Sequence, residues 1–447
     1  MILTPLMLHQ AKALDYLKDH NPCALFMKYG TGKSLVALAY AEHIKAKLVL
    51  ITSDKTNVLS TWVDQIETHT DFNYIIRPRL YRGKTCNFLY EQGVWCVLVN
   101  YEMLASVWQE YNDLLRFDLW IGDESSEFKD SRTLKHKHLA HIVEKIPHRI
   151  ILNGEPMTER LEDMHGQFKV LDGGRALGSS ITKFHQRYMM LDAQGYRWVP
   201  KRSAMTHVQR AVKDISYWLT DSTGIVMPTR RYHVMTVPMT KQQAMLDEDL
   251  KTKFAASLQE KHIEVSYAAA LFLKRIQLMG GIFRPSDEGG TPIPVATDKL
   301  AVLRELFLRN QGSKIVVWHE YVPETALLRA KFSDHMPYVF DSPDCISVLD
   351  RFAKVKAGVL LIRTSFCKGL NQLADGDIAV FWSNPLSYRD RSQAIGRTCR
   401  MSSKNRETHV VDIVTKGGAD EVVYQQLSQK KTLSLTLGQL RSIVQHN

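Results

Sequence analysis

Short apolar runs at residues 24–28, 48–53, 94–100, 117–123 and 149–153 alternate with stretches whose apolar residues recur at helical spacing, as from Ser34 to Ile44 and from Ser60 to Ile66. Continuous apolar runs of this length suit strands buried on both faces, and such strands joined by helices build a parallel sheet covered on each side. The alternation resumes with candidate strands at Lys314–His319, Val359–Arg363, Asp377–Trp382 and Thr408–Val414. Between the two blocks, from Leu161 to about Asp298, the period is mostly helical. It is interrupted by a turn signal at Asp192–Gly195 and by the loop GGIFRPSDEGGTPIP, which reads as a linker. At 447 residues the chain exceeds the size at which one core usually splits. The expectation is an α/β chain with parallel-sheet lobes at 1–160 and 298–447 and a mainly helical insertion and linker at 161–297.

The first apolar run leads into the most specific chemistry. In ALFMKYGTGKSLVALAYA, Gly30, Thr31, Gly32, Lys33 and Ser34 lie between a candidate strand and a candidate helix, the setting of a phosphate-binding loop. Glycines let backbone N–H groups approach phosphate, Lys33 neutralises β/γ charge, and the Ser34 hydroxyl suits magnesium. The full loop pattern begins with a small residue where this chain has Met27 or Lys28. Downstream, FDLWIGDESSEFKD ends an apolar run in Asp123 and Glu124. One carboxylate there can hold a magnesium ion while its neighbour orients or deprotonates an attacking water. By itself such a pair is an ordinary solvated loop; after a phosphate loop it is the other half of a nucleotide site. In SQAIGRTCR, Arg397 and Arg400 follow a glycine. Planar, permanently charged guanidinium groups suit a γ-phosphate whose charge spreads during transfer.

These motifs, in this order, resemble the Swi/Snf-type branch of the superfamily 2 helicases and translocases, and specifically its compact phage-encoded members. The resemblance implies two RecA-like lobes with ATP and Mg2+ as cofactors. It implies that Gln10, in LHQAKALDYL, reads the adenine, that DESS is the acidic box with Ser126 in place of His, and that LNGEPMTE is the next motif with Glu155 in place of Thr. The segments LVLITSDKTNVLSTWVDQI and VLVNYEML match motifs that line the strand-binding groove in relatives, which puts Ser53, Asn100 and Tyr101 there. In the second lobe SKIVVWHEY and LLIRTSFCKGLNQL match in turn, with Thr364, Gly369 and Asn371 at corresponding places and Thr364 on the same track. Arg397 and Arg400 are then arginine fingers and Gln393 a nucleotide sensor, while VVDIVTKGGADEVVYQQL closes the lobe.

The implied activity is that of an ATP-dependent DNA helicase or translocase. The compact phage members act on branched DNA in replication, recombination and repair, so the implied partner is DNA, as a single-stranded track or a forked or branched duplex, met by a monomer. A double-stranded DNA translocase that remodels protein–DNA complexes without unwinding shares every motif. A non-catalytic clamp has no need of intact Lys33, Asp123, Glu124 and Arg397, and an RNA helicase fits the motif wording less well.

Charge agrees with a polyanionic partner: 58 Lys plus Arg against 47 Asp plus Glu give a net +11. From Arg175 to Arg231 ten cations face three acids, interleaved with Phe184, Tyr188, Tyr196, Trp198, Tyr217 and Trp218. This pattern is either a strand-binding surface, with Lys201 and Arg202 on phosphates, or a solvated helical face over core aromatics. MLDAQGYRWVPK reads as a hairpin with Tyr196 and Trp198 on one face, either a wedge or a packing flap. His136, His138 and His141 lack a carboxylate or Cys partner and read as a solvated face rather than a metal site. Cysteines at 23, 86, 96, 345, 367 and 399 form no CxxC pair. They are expected as reduced thiols in a soluble, cytoplasmic chain, and no apolar run approaches a membrane span.

Overall fold

In the computed structural model the described residues are 1–54, 56–76, 93–111, 116–154, 156–157, 160–192, 195–219, 228–259, 265–285, 290–342, 346–367, 370, 372–398, 407–430 and 432–433. The chain divides into two compact units, Met1–Val226 and Met227–Asn447.

The first unit contains β1 (Cys23–Phe26), β2 (Leu48–Ser53), β3 (Asn73–Ile76), β4 (Trp95–Asn100), β5 (Leu119–Gly122), β6 (His148–Asn153), β7 (Met189–Leu191), β8 (Trp198–Pro200) and β9 (Ser216–Trp218). Seven of them form one sheet in the order β3-β4-β2-β5-β6-β1-β9, every neighbouring pair parallel. Strand alternation serves two cores at once. Leu48 and Leu50 of β2 pack with Val97, Val99 and Trp120 on one face, and Val49 and Ile51 pack with Leu98, Ile121 and Leu152 on the other. Burial of such side chains contributes about 2 kcal/mol each, which is why β2 has no polar residue before Thr52.

The second unit contains β10 (Thr229–Val237), β11 (Ile282–Phe283), β12 (Ile293–Pro294), β13 (Lys314–His319), β14 (Tyr338–Phe340), β15 (Gly358–Arg363), β16 (Ile378–Phe381) and β17 (Glu407–Thr415). Its parallel sheet runs β10-β17-β16-β13-β15-β14. Val316 and Trp318 face one core, Ile315 and Val317 the other. The helices Lys241–Gln259, Val265–Met279 and Ala419–Ser428 enclose a further apolar cluster. The fold is therefore α/β, with two RecA-like parallel-sheet lobes.

The segment 161–297 is shared between the units. Its first part reaches β9, which pairs with β1, and its second begins with β10, which pairs with β17 over nine residues. The Gly/Pro-rich loop expected to be a linker instead contributes β11 and β12, paired antiparallel inside the second unit. The histidine cluster also needs correction. His136 is buried, with Nε2 3.0 Å from the Gly166 carbonyl oxygen, while His138 and His141 are exposed as expected. Among the described residues no helix is long and apolar enough to cross a membrane, and no group of three or more His, Cys, Asp or Glu is placed to hold a metal.

Candidate functional site

Parallel strands end on one edge, and the first unit gathers its polar motif residues there. The loop after β1 turns through Gly30 and Gly32, both at φ 80°, a left-handed conformation that suits glycine. Gly32 caps the helix Lys33–His43 without a side-chain hydrogen bond, and the positive end of that helix's dipole faces the loop, a setting that suits an anion. Thr31 is the loop's fixed point. Its carbonyl accepts hydrogen bonds from Gln10 Nε2 at 3.2 Å and from His9 Nε2 at 2.9 Å, and its hydroxyl donates to the Lys28 carbonyl at 2.7 Å. A Cβ on Gly32 would lie 2.1 Å from Gln10 Nε2. Gln10 thus buttresses the loop directly, and His9 does so as well, although no sequence motif had singled it out. Lys33 Nζ folds back onto the carbonyls of Met27 and Lys28, at 2.9 and 3.3 Å. Ser34 follows on the same first turn.

Asp123 follows β5, two strands from the loop. Its Oδ2 accepts from the Trp62 indole at 3.0 Å, and its Oδ1 accepts from the Glu124 amide at 2.9 Å. Burial, reinforced by the neighbouring Glu124 charge, raises its carboxyl to about 6, while Trp62 and Lys33 act in the opposite sense. Glu124 sits at φ 50°, ψ 56°, a left-handed conformation that costs a non-glycine residue about 1–2 kcal/mol. Behind it, Ser125 Oγ donates to Gln167 Oε1, and Asn153 Nδ2 donates to Ser125 Oγ at 3.0 Å. Gln167 Nε2 in turn donates to the Asp163 carbonyl at 2.8 Å. Gln167 escaped sequence reading because a helical glutamine carries no local signal. Ser126 is buried, and its Oγ has no hydrogen-bond partner among the described residues. Glu155 lies outside the described residues.

The residues present fit a magnesium nucleotide. Two left-handed glycines shape the loop, with no room for a Cβ at Gly32, Lys33 supplies the cation, and Ser34 and Asp123 offer the hard oxygen donors that magnesium prefers.

Of the candidate track residues, Ser53 and Asn100 end the paired strands β2 and β4 as direct partners. Ser53 Oγ and Asn100 Oδ1 are both buried with no hydrogen-bond partner among the described residues. Tyr101 is buried, its hydroxyl donating to the Asp123 carbonyl at 2.6 Å and its ring packed edgewise on Phe128. Farther along, Phe184 and Tyr188 are core residues, and Tyr217 and Trp218 sit half-buried in β9. By contrast Tyr196 is 88% and Trp198 43% exposed, on a hairpin that pairs Leu191 with Trp198. Lys201 is an internal cap, its Nζ donating to the carbonyls of Gln186 and Arg187 at 2.8 and 3.1 Å, at the end of the helix Ile181–Tyr188. Arg202 is exposed.

In the second unit, the helix Tyr388–Thr398 is anchored by Arg391, buried in a bidentate pair with Asp412 at 2.7 Å on both arms and stacked over Phe381. Gln393 is buried on this helix and Arg397, four residues on, is half-buried on the same face. Arg400, Gly369 and Asn371 lie outside the described residues. Thr364 is buried, and its hydroxyl donates to the Glu320 carboxylate.

Beneath it Glu324 Oε2 accepts from Ser383 Oγ at 2.7 Å and from the Tyr321 amide at 3.0 Å. Burial raises the Glu324 carboxyl to about 7 and lowers the adjacent His319 to about 3. The signs are opposite. Native Glu324 keeps a proton that the unfolded chain has lost, so stability falls as pH rises from 4.5 to about 7, by roughly 3 kcal/mol. Native His319 stays neutral, so stability falls as pH drops from 6.5 towards 3. Glu324→Gln is expected to abolish the first dependence and keep the second, as read from melting temperature against pH. An unchanged slope between about pH 5 and pH 7 would show that Glu324 is ionised at little cost.

The SNF2-related domain family matches residues 9–274, more than half of the chain. The protein p41 of Acyrthosiphon pisum secondary endosymbiont phage 1 is 23% identical, over 95% of this chain and 96% of its own. YwqA of Bacillus subtilis (strain 168), named for an ATP-dependent helicase/translocase, is 23% identical over 91% of this chain, which spans only 45% of YwqA. Among solved structures, the Hef helicase domain of Pyrococcus furiosus superposes with a TM-score of 0.55 at 14% identity, covering 95% of this chain and 98% of that one, a likeness of fold. With this match over more than half of its length and its two RecA-like lobes, the chain belongs to the SNF2-related family.

Proposed function

We propose that the chain is a DNA-dependent ATPase that drives a helicase, acting on forked and branched DNA. The observation that carries this reading is the convergence of the glycine cradle, Lys33 and the Asp123–Glu124 pair on the carboxyl edge of one sheet. Lys33 leaves its loop carbonyls for the β/γ-phosphates, and Glu124, held out of the strand by its left-handed backbone, orients the attacking water. Ser34 and Asp123 would hold a magnesium ion, which would supply charge neutralisation on the phosphate oxygens. Gln10 holds the loop and reads the adenine, while Arg397 and Arg400 serve the γ-phosphate and Gln393 senses it. Repeated closing and opening on ATP moves the chain along a strand.

The orphaned Ser53 and Asn100 oxygens support a strand groove at the ends of β2 and β4, since buried polar atoms in native proteins normally find a partner. The exposed Tyr196 and Trp198 support strand separation, and the full-length likeness to a phage protein supports the compact phage type. A monomer working in a cytoplasm, that of the host for a phage protein, completes the reading.

A strand-separation assay on forks and four-way junctions tests it. ATP-dependent release of single strands is expected; displacement of a triplex-forming strand with no duplex opening would instead identify a translocase that does not unwind. Arg202→Glu should lower the slope of log affinity against log salt by about one unit. Lys201 is unsuited to that test, because reversing it breaks a helix cap. An unchanged slope for Arg202→Glu would mean that this face is merely solvated.

A further inference from the structure

The helix Glu162–Asp172 touches the acidic box directly and is linked to the aromatic hairpin through His185. At the box it is clamped by backbone: a Cβ on Gly166 would lie 1.8 Å from the Lys129 carbonyl oxygen, an approach only glycine permits. Gln167 binds Ser125, and Lys129 Nζ lies 3.3 Å from Asp163 Oδ2. Any displacement of the segment after Glu124 must therefore carry the helix with it, because close-packed interiors transmit strain rather than absorb it.

At its first residue the helix meets His185 of the helix Ile181–Tyr188, which in turn stacks on the hairpin. Glu162 Oε1 lies 3.3 Å from His185 Nε2, and the His185 ring stacks on Trp198 with centroids 4.7 Å apart and planes 27° apart. One face of the indole is thus covered by His185 while the side chain stays 43% exposed. Glu162 and Gln167 are five residues apart, about 7.5 Å along a helix, so the lever is short and rigid.

We propose that the helix Glu162–Asp172 is a lever between the nucleotide site and the hairpin, with Glu162 and His185 as positioning residues that set the pose of Trp198 according to the occupancy of the site. This rests on the ATP reading above. Nucleotide moves the Asp123–Glu124 segment, the clamp at Gly166 and Gln167 moves the helix, and Glu162 moves the imidazole on which Trp198 rests. A hairpin that merely packs has no reason to respond to a ligand at the phosphate loop.

The test labels the full chain with 5-fluorotryptophan, assigns the Trp198 resonance by its loss in Trp198→Phe, and adds adenylyl imidodiphosphate with magnesium. Analogue binding is measured separately by calorimetry on the same samples. In the unmodified chain the Trp198 resonance is expected to shift on binding. In Glu162→Gln, and in His185→Phe, which keeps an aromatic ring for the stack, the analogue should bind within about twofold while the shift falls below about a fifth. The chain should hydrolyse ATP on forked DNA in both variants yet separate fewer strands per ATP. A full shift in both variants, or no shift in an unmodified chain that binds the analogue, overturns the lever. Failure of the unmodified chain to bind the analogue overturns the ATP reading itself, and the lever with it.

Discussion

Lys33→Ala is expected to lower ATP turnover at least about a thousandfold while leaving the fold intact. Lys33 Nζ rests on the carbonyls of Met27 and Lys28, so in the role proposed above its loss should remove transition-state charge stabilisation and little packing. Glu124→Gln should cost a similar factor by a different route. It keeps the shape of the side chain, and nucleotide binding with it, but withdraws the carboxylate that orients water. The two variants separate binding from chemistry: analogue affinity should fall in the first and persist in the second. Steady-state phosphate release, with circular dichroism melting on the same preparations, checks both. Turnover within about tenfold of the unmodified chain in either variant would remove that residue from the site.

Truncating Tyr196 and Trp198 together to Ala should reduce strand separation on forks and junctions severely, by about tenfold or more, and spare most DNA-stimulated ATP hydrolysis. A motor needs only its nucleotide site and its track to step. Separation also needs something at the junction to oppose re-pairing. Stacking an aromatic ring on a base contributes about 1–3 kcal/mol, comparable with the roughly 1.4 kcal/mol of an average base-pair step. Tyr196 is 88% and Trp198 43% exposed, the latter stacked on His185, so their truncation spares the core residues Phe184 and Tyr188. Parallel loss of hydrolysis and separation would make the hairpin part of the track; loss of neither would place strand separation elsewhere.

Both sheets were legible in the sequence wherever strands are buried on two faces, because such strands must be continuously apolar. The ranges 48–53 and Lys314–His319 coincide with β2 and β13. Edge strands left no such trace. β10, TRRYHVMTV, is exposed along most of its length and β9 has three residues, so neither carries an apolar run, and the helical reading of 161–297 passed over both. Recognising them would have required knowing their partners β17 and β1, since pairing and not composition holds an edge strand. The glycine loop after β1 and the acidic pair after β5 were legible because each is a local pattern of fixed spacing at the end of an apolar run. His9, Trp62 as an Asp123 partner, Gln167 and Arg391 were not, since each acts across a long sequence separation on a backbone or carboxylate that the sequence does not place. His136 misled for the same reason: an imidazole looks solvated until the carbonyl that it meets is known.

The central claim is that the site built on Lys33 and Glu124 hydrolyses ATP in response to DNA structure. It is tested most directly by ATP hydrolysis measured side by side with no nucleic acid, single-stranded DNA, linear duplex, forks, four-way junctions and RNA, with Lys33→Ala as the control. Hydrolysis that is low alone, rises at least about tenfold on forks and junctions above linear duplex and RNA, and vanishes in Lys33→Ala is the expected result. Hydrolysis indifferent to every nucleic acid, or equal in Lys33→Ala, would contradict it.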